Sequence, residues 1–85
     1  MKHPQDSTAL APVRKLAAII PTAQPVFDHL CTRLRLLGKT PAFYIEASGY
    51  LDQCADFAAL GRRTLAAQLY RKAAEQVARQ AAKLG

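Results

Sequence analysis

Apolar residues recur along this chain at intervals of three and four, the period of a helix packed on one side. Val13, Leu16, Ala17 and Ile20 form the first series. Pro21 interrupts it, and Pro21–Thr22–Ala23–Gln24–Pro25 reads as a stiff connector. A first helix is predicted over 9–20, with Pro12 tolerated in its first turn. In the second series, Val26, Phe27, Leu30, Cys31, Leu34 and Leu37 share one face of a helix over 25–37. Asp28, His29, Thr32, Arg33 and Arg35 share the other. Asp28 falls in the first turn, where the helix dipole favours an anion, and Gly38 is placed to end the helix.

The third series has the clearest start. Thr40 is a good N-cap and Pro41 suits the first helical position, so a helix is predicted over 41–60. Phe43, Ala47, Tyr50, Cys54 and Phe57 form one stripe at spacings of 4, 3, 4 and 3. Tyr44, Ser48, Leu51, Ala55 and Ala58 form a second stripe beside it. On ideal geometry the two cover an arc of roughly 200°. One neighbouring helix cannot cover that arc, so this helix is either central or offers an open groove. After Gly61, Thr64 can cap a helix over 64–84, with Leu65, Ala66, Leu69, Tyr70, Ala73, Val77 and Ala81 on its apolar face. Arg71, Lys72, Arg79 and Lys83 lie opposite, with Gln68 and Glu75.

The pattern predicts an all-α fold: a small bundle of three to four helices in one domain over 9–85, preceded by a flexible polar tail over 1–8. A rival pattern is local. Ala42–Phe43–Tyr44–Ile45–Glu46 is rich in aromatic and β-branched residues, and as a strand before two helices it would give a ribbon-helix-helix DNA-binding arrangement. The Thr40–Pro41 helix start argues against it.

Charge changes the picture at one end. Of the net +6, residues 1–21 carry +2, residues 22–61 carry −1 and residues 62–85 carry +5. Arg62, Arg63, Arg71, Lys72, Arg79 and Lys83 are therefore a candidate basic surface for an acidic protein or a phosphate backbone. Arg62 and Arg63 precede a helix, where the dipole disfavours cations, so their placement points to a use other than stability. No aromatic residue interleaves the basic face, which argues against stacking on single strands. Half of the 85 residues are apolar, yet many are alanine, which favours helix but buries little area. So thin a core predicts marginal stability alone, completed by a partner or a second copy.

Candidate chemistry is sparse. The two cysteines, Cys31 and Cys54, make no disulfide framework and read as reduced core thiols of a cytoplasmic protein. The N-terminus has no signal-peptide pattern, and no apolar run approaches the ~20 residues of a membrane span. His29 and Cys31 are two apart on a helix and point away from each other, so they cannot chelate one ion. Asp52 and Asp56 lie one turn apart, opposite the apolar arc, in a solvated setting unsuited to acid–base work. No phosphate-cradling glycine loop or catalytic triad signature is present. No enzyme activity, metal or cofactor is expected.

Residues 47–80 carry one pattern more specific than periodicity. Tyr50, Cys54 and Phe57, then Gly61, then Ala66, Tyr70 and Ala73 fall at the spacings of large, small, aromatic, turn, small, aromatic and alanine. This resembles a single tetratricopeptide-type helical hairpin. Asp52 and Gln53 stand where that family usually has leucine, Ala78 stands where it has a closing proline, and no second copy occurs 34 residues earlier. One unit cannot bury its own face. The resemblance implies a protein-binding module whose ligand lies along the first helix, at Ser48, Leu51, Ala55 and Ala58 with Tyr44 extending the row. Three functions are thus expected: a protein-interaction module such as an adaptor, chaperone or inhibitor; a nucleic-acid-binding regulator using the basic last helix; or a homo-oligomer.

Overall fold

A computed structural model describes residues 4–84, with side chains from residue 9 onward. The elements are α1 (Pro4–Ile19), a single 3-10 turn (Pro21–Ala23), α2 (Gln24–Leu37), α3 (Pro41–Leu60) and α4 (Thr64–Leu84). No strand occurs among the described residues. The segment Ala42–Glu46 is helical, so the ribbon-helix-helix alternative is set aside. The Thr40 hydroxyl decides this locally: it accepts a hydrogen bond from the Phe43 N–H at 3.2 Å, capping α3 where Pro41 has already fixed a helical φ.

Helix boundaries follow the punctuation of the chain. α2 ends at Gly38, whose φ of 71° is open to glycine and strained for other residues. α1 begins at Pro4, so helix reaches into the stretch read as a tail; residues 1–3 lie outside the described residues. The helix breaks at Leu10 (φ −114°, ψ 20°), two residues before Pro12. Proline lacks the N–H and its ring crowds the carbonyl four residues back, which produces such a break. Pro12 then falls in the first turn of the run that follows.

α3 and α4 pack as an antiparallel hairpin and share the largest interface in the molecule. α1 lies across both α2 and α4. The core is one cluster: Leu10, Val13 and Leu16 from α1, Leu30 and Leu34 from α2, Phe43, Tyr44 and Leu51 from α3, Tyr70 and Val77 from α4. Alanines at 47, 55, 58, 73 and 74 are also buried there and let the helix axes approach closely. The framework measures 36 × 29 × 17 Å. Packed helix axes lie ~8–10 Å apart, so the short dimension spans about two helix layers.

Candidate functional site

The two stripes of α3 exchange roles relative to the sequence expectation. Tyr44, Leu51, Ala55 and Ala58, the predicted partner-binding row, are buried, and Ser48 is half-buried with its hydroxyl donating to the Ile45 carbonyl at 3.0 Å. α4 covers this row, since Tyr70, Ala73, Ala74 and Val77 share its core. The row is therefore core and not an open groove. The other stripe fades along the helix: Phe43 and Ala47 are buried, Tyr50 and Cys54 half-buried, and Phe57 is 79% exposed. α2 packs against α3, and the end of the stripe is left bare. Of the hairpin residues that carry the tetratricopeptide resemblance, Tyr70 and Ala73 are buried and Tyr50, Cys54 and Ala66 half-buried.

Phe57 does not stand alone. Leu60, one turn further on, is 81% exposed, and Leu65 opens α4 just beyond the turn with its side chain also largely in solvent. The turn itself is tight. Arg63 N–H bonds to the Ala58 carbonyl at 2.8 Å and Arg62 N–H to the Ala59 carbonyl at 3.0 Å. This pair is the Schellman arrangement, which requires a left-handed residue just after the C-cap. Gly61 occupies the C-cap with φ −85°, and the left-handed position falls on Arg62 at φ 61°. Glycine thus sits one position before the place that would use it. A non-glycine residue in that region costs about 1–2 kcal/mol, and such strain concentrates at functional segments.

On one side of this turn lies a groove of about 410 Å³ between the hairpin and the α1–α2 connection. Ile20 and Thr22 from the connection face Cys54, Phe57, Arg63 and Tyr70. Burial raises the pKa of the Cys54 thiol, which stays protonated near neutrality and lacks nucleophilic character. Burial likewise raises the Tyr70 hydroxyl pKa, with the neighbouring Cys54 and Tyr50 adding to the shift and Arg63 opposing it. The groove is an apolar surface edged by one cation and carries no activated acid, base or nucleophile. Cys31 and Cys54 form no disulfide with each other and lie half-buried on different helices. Among the described residues no three His, Cys, Asp or Glu side chains gather as metal ligands, and no helix is long and apolar enough to cross a membrane.

The basic set divides into three. Arg62 and Arg63 are exposed at the hairpin turn. Arg71 leaves the set: its guanidinium bridges Asp52 at 3.1 Å and Asp56 at 3.0 Å, and these bonds raise its pKa, Asp56 contributing most. The two carboxylates read from sequence as solvated are the acceptors of this clamp between α3 and α4. Lys72, Arg79 and Lys83 remain in one row on the outer side of α4. The periodicity of α4 could not separate Arg71 from this row, because its partners lie on another helix. A second clamp, Arg33 to Glu46 at 2.6 Å, ties α2 to α3, and this hydrogen bond holds the Glu46 carboxyl below its ordinary range. The His29 ring leans on Tyr50 at 4.7 Å between the same two helices. Sequence reasoning placed Phe57 in the core and did not single out Leu60; the signal available was the position of both next to a turn, where neighbouring helices end.

Comparison of the chain with protein-family models, with curated proteins and with solved structures found no match.

Proposed function

We propose that this chain is a non-enzymatic protein-interaction module that docks its partner at the turn of the α3–α4 hairpin. The observation that carries the reading is Phe57 beside Leu60, each about four-fifths exposed on one side of α3. Fully covering each such side chain is worth about 1.5–3 kcal/mol, and aromatic anchors at the centre of a patch supply much of the energy of protein interfaces. Arg62 and Arg63 edge the patch, so the fitting partner presents an apolar knob flanked by carboxylates. A symmetric pair of copies joined here would bring these four arginines together, which disfavours self-association through this patch. The resemblance to a tetratricopeptide hairpin adds to the reading, because a single such unit leaves a face for another chain to bury.

A nucleic-acid role is less well supported. With Arg71 clamped, α4 offers three aligned cations, spread over roughly 16 Å of helix from residue 72 to 83. Duplex DNA carries one charge per ~1.7 Å, so this row would meet few phosphates. The test is affinity capture from the native host after nuclease treatment, with the parent chain and a Phe57→Ser/Leu60→Ser variant. A protein retained at stoichiometric amounts by the parent and lost by a normally helical variant is expected. Capture that vanishes with nuclease, or that the variant retains in full, would overturn the reading.

A further inference from the structure

A second surface lies on α4, away from the hairpin turn. α1 and α4 leave a cleft of about 310 Å³ between them. Its floor is apolar, formed by the buried Leu16 and Ala73. Its walls carry Ile19, which is 62% exposed, the half-buried Leu69, and one lysine from each helix, Lys15 and Lys72. Along α4 the face that lines the cleft carries Leu69, Lys72 and Gln76, and it runs on beyond the cleft to Arg79 and Lys83.

Charge selects what can fill it. Lys15, Lys72, Arg79 and Lys83 have no ion-pair partner among the described residues. The described carboxylates show no ion pair to them: Asp28 accepts from Gln24, Glu46 from Arg33, and Asp52 and Asp56 from Arg71. Glu75 is the one other carboxylate among the described side chains. A second copy therefore offers no acidic row to meet this cleft. A phosphate backbone would satisfy the lysines and leave Ile19 and Leu69 in contact with charge. A membrane surface would not reach a floor recessed between two helices. From these features we infer that the α1–α4 cleft is a docking site for an amphipathic acidic helix of a partner protein. Its leucine-like face would lie on Leu16, Ile19 and Leu69, and its carboxylates would reach Lys15 and Lys72. Helix ridges fit the groove between two helices, and anchors at i, i+3, i+4 and i+7 match such a floor. The inference rests on the premise that the chain binds protein, yet it uses none of the residues of the hairpin turn.

The probe is a synthetic 20-residue peptide with leucine at i, i+3, i+4 and i+7 and glutamate on its flanks. Its control has the same composition scrambled to abolish the apolar stripe. Backbone amide shifts of the full chain report where each binds, and fluorescence anisotropy reports how tightly. The stripe peptide is expected to shift amides in 11–19 and 69–76. Lys15→Glu/Lys72→Glu should weaken it about tenfold, which is 1.4 kcal/mol, and Ile19→Ser by a similar factor. Phe57→Ser/Leu60→Ser should leave it unchanged. Binding lost in that last variant but kept in the lysine variant would overturn the cleft while leaving the hairpin-turn reading standing. Equal binding of the scrambled peptide would overturn it too. So would tighter occupancy of the same amides by a 20-base-pair DNA duplex or by phosphatidylserine vesicles.

Discussion

Replacing Leu51 and Phe57 one at a time with alanine separates the two faces of α3. Leu51 is fully buried in the cluster that joins α3 to Tyr70 and Val77 of α4. Leu51→Ala removes three carbons, about 2.4 kcal/mol at ~0.8 per buried group. The unfilled space adds to this, for a total of about 2.7–5 kcal/mol. A chain of 85 residues has about 4–13 kcal/mol in all at ~0.05–0.15 per residue, so this single change removes a large share. Tm should fall by about 11–40 °C, at ~4–8 °C per kcal/mol for a domain of this size. Phe57→Ala removes a larger side chain, but one already in solvent. Its effect should stay within ~0.5 kcal/mol, partly offset by the better helix propensity of alanine. Urea unfolding followed by far-UV circular dichroism measures both, with equal m-values confirming that the unfolded reference is unchanged. A midpoint shift for Phe57→Ala equal to or larger than that for Leu51→Ala would refute the assignment of the two faces.

Four further outcomes follow from the same structure. Gly38→Ala should destabilise by about 1–3 kcal/mol through backbone strain alone, since no atom lies within 4 Å of the added carbon. Arg62→Gly should instead stabilise by about 1 kcal/mol, because glycine relieves the left-handed φ at that turn; urea midpoints read both. Cys54 should react with iodoacetamide more slowly than a free cysteine peptide at about pH 8, since burial raises its pKa; mass spectrometry follows the adduct. Glu46 has its folded pKa depressed by Arg33, so that contact stabilises above the ordinary carboxylate pKa of about 4.3 and is lost as pH falls through the folded value. The urea midpoint should therefore decline on acidification in that window, and Arg33→Met should flatten the decline; an unchanged profile in Arg33→Met would show that the clamp contributes nothing.

The helices were legible in the sequence where single residues punctuate the backbone. Thr40 and Pro41 open α3 as read, because caps act over one turn and need no tertiary information; α4 starts at Thr64, but the carbonyl that takes its first helical bond is that of Arg63 rather than of the expected cap Thr64. α1 was harder, since its first turns carry polar residues and lie before the break at Leu10. The surface was less legible than the helices. Periodicity shows that Tyr44, Leu51 and Ala55 share a stripe, but it cannot say from which side a neighbour arrives. α4 settled on that stripe, where Ala55 and Ala58 permit close approach, and left Phe57 bare. Arg71 was likewise indistinguishable from Lys72 along α4, since what divides them is the pair Asp52 and Asp56 on another helix.

Photocrosslinking in the native host tests the docking surface most directly. A benzophenone side chain would be placed in turn at position 57, at position 60, and at position 36, where Leu36 of α2 is also largely exposed to solvent. The account predicts a discrete protein adduct of one mass from positions 57 and 60 and none from position 36. Equal adducts at all three positions, adducts removed by nuclease, or no protein adduct at 57 and 60 would contradict it.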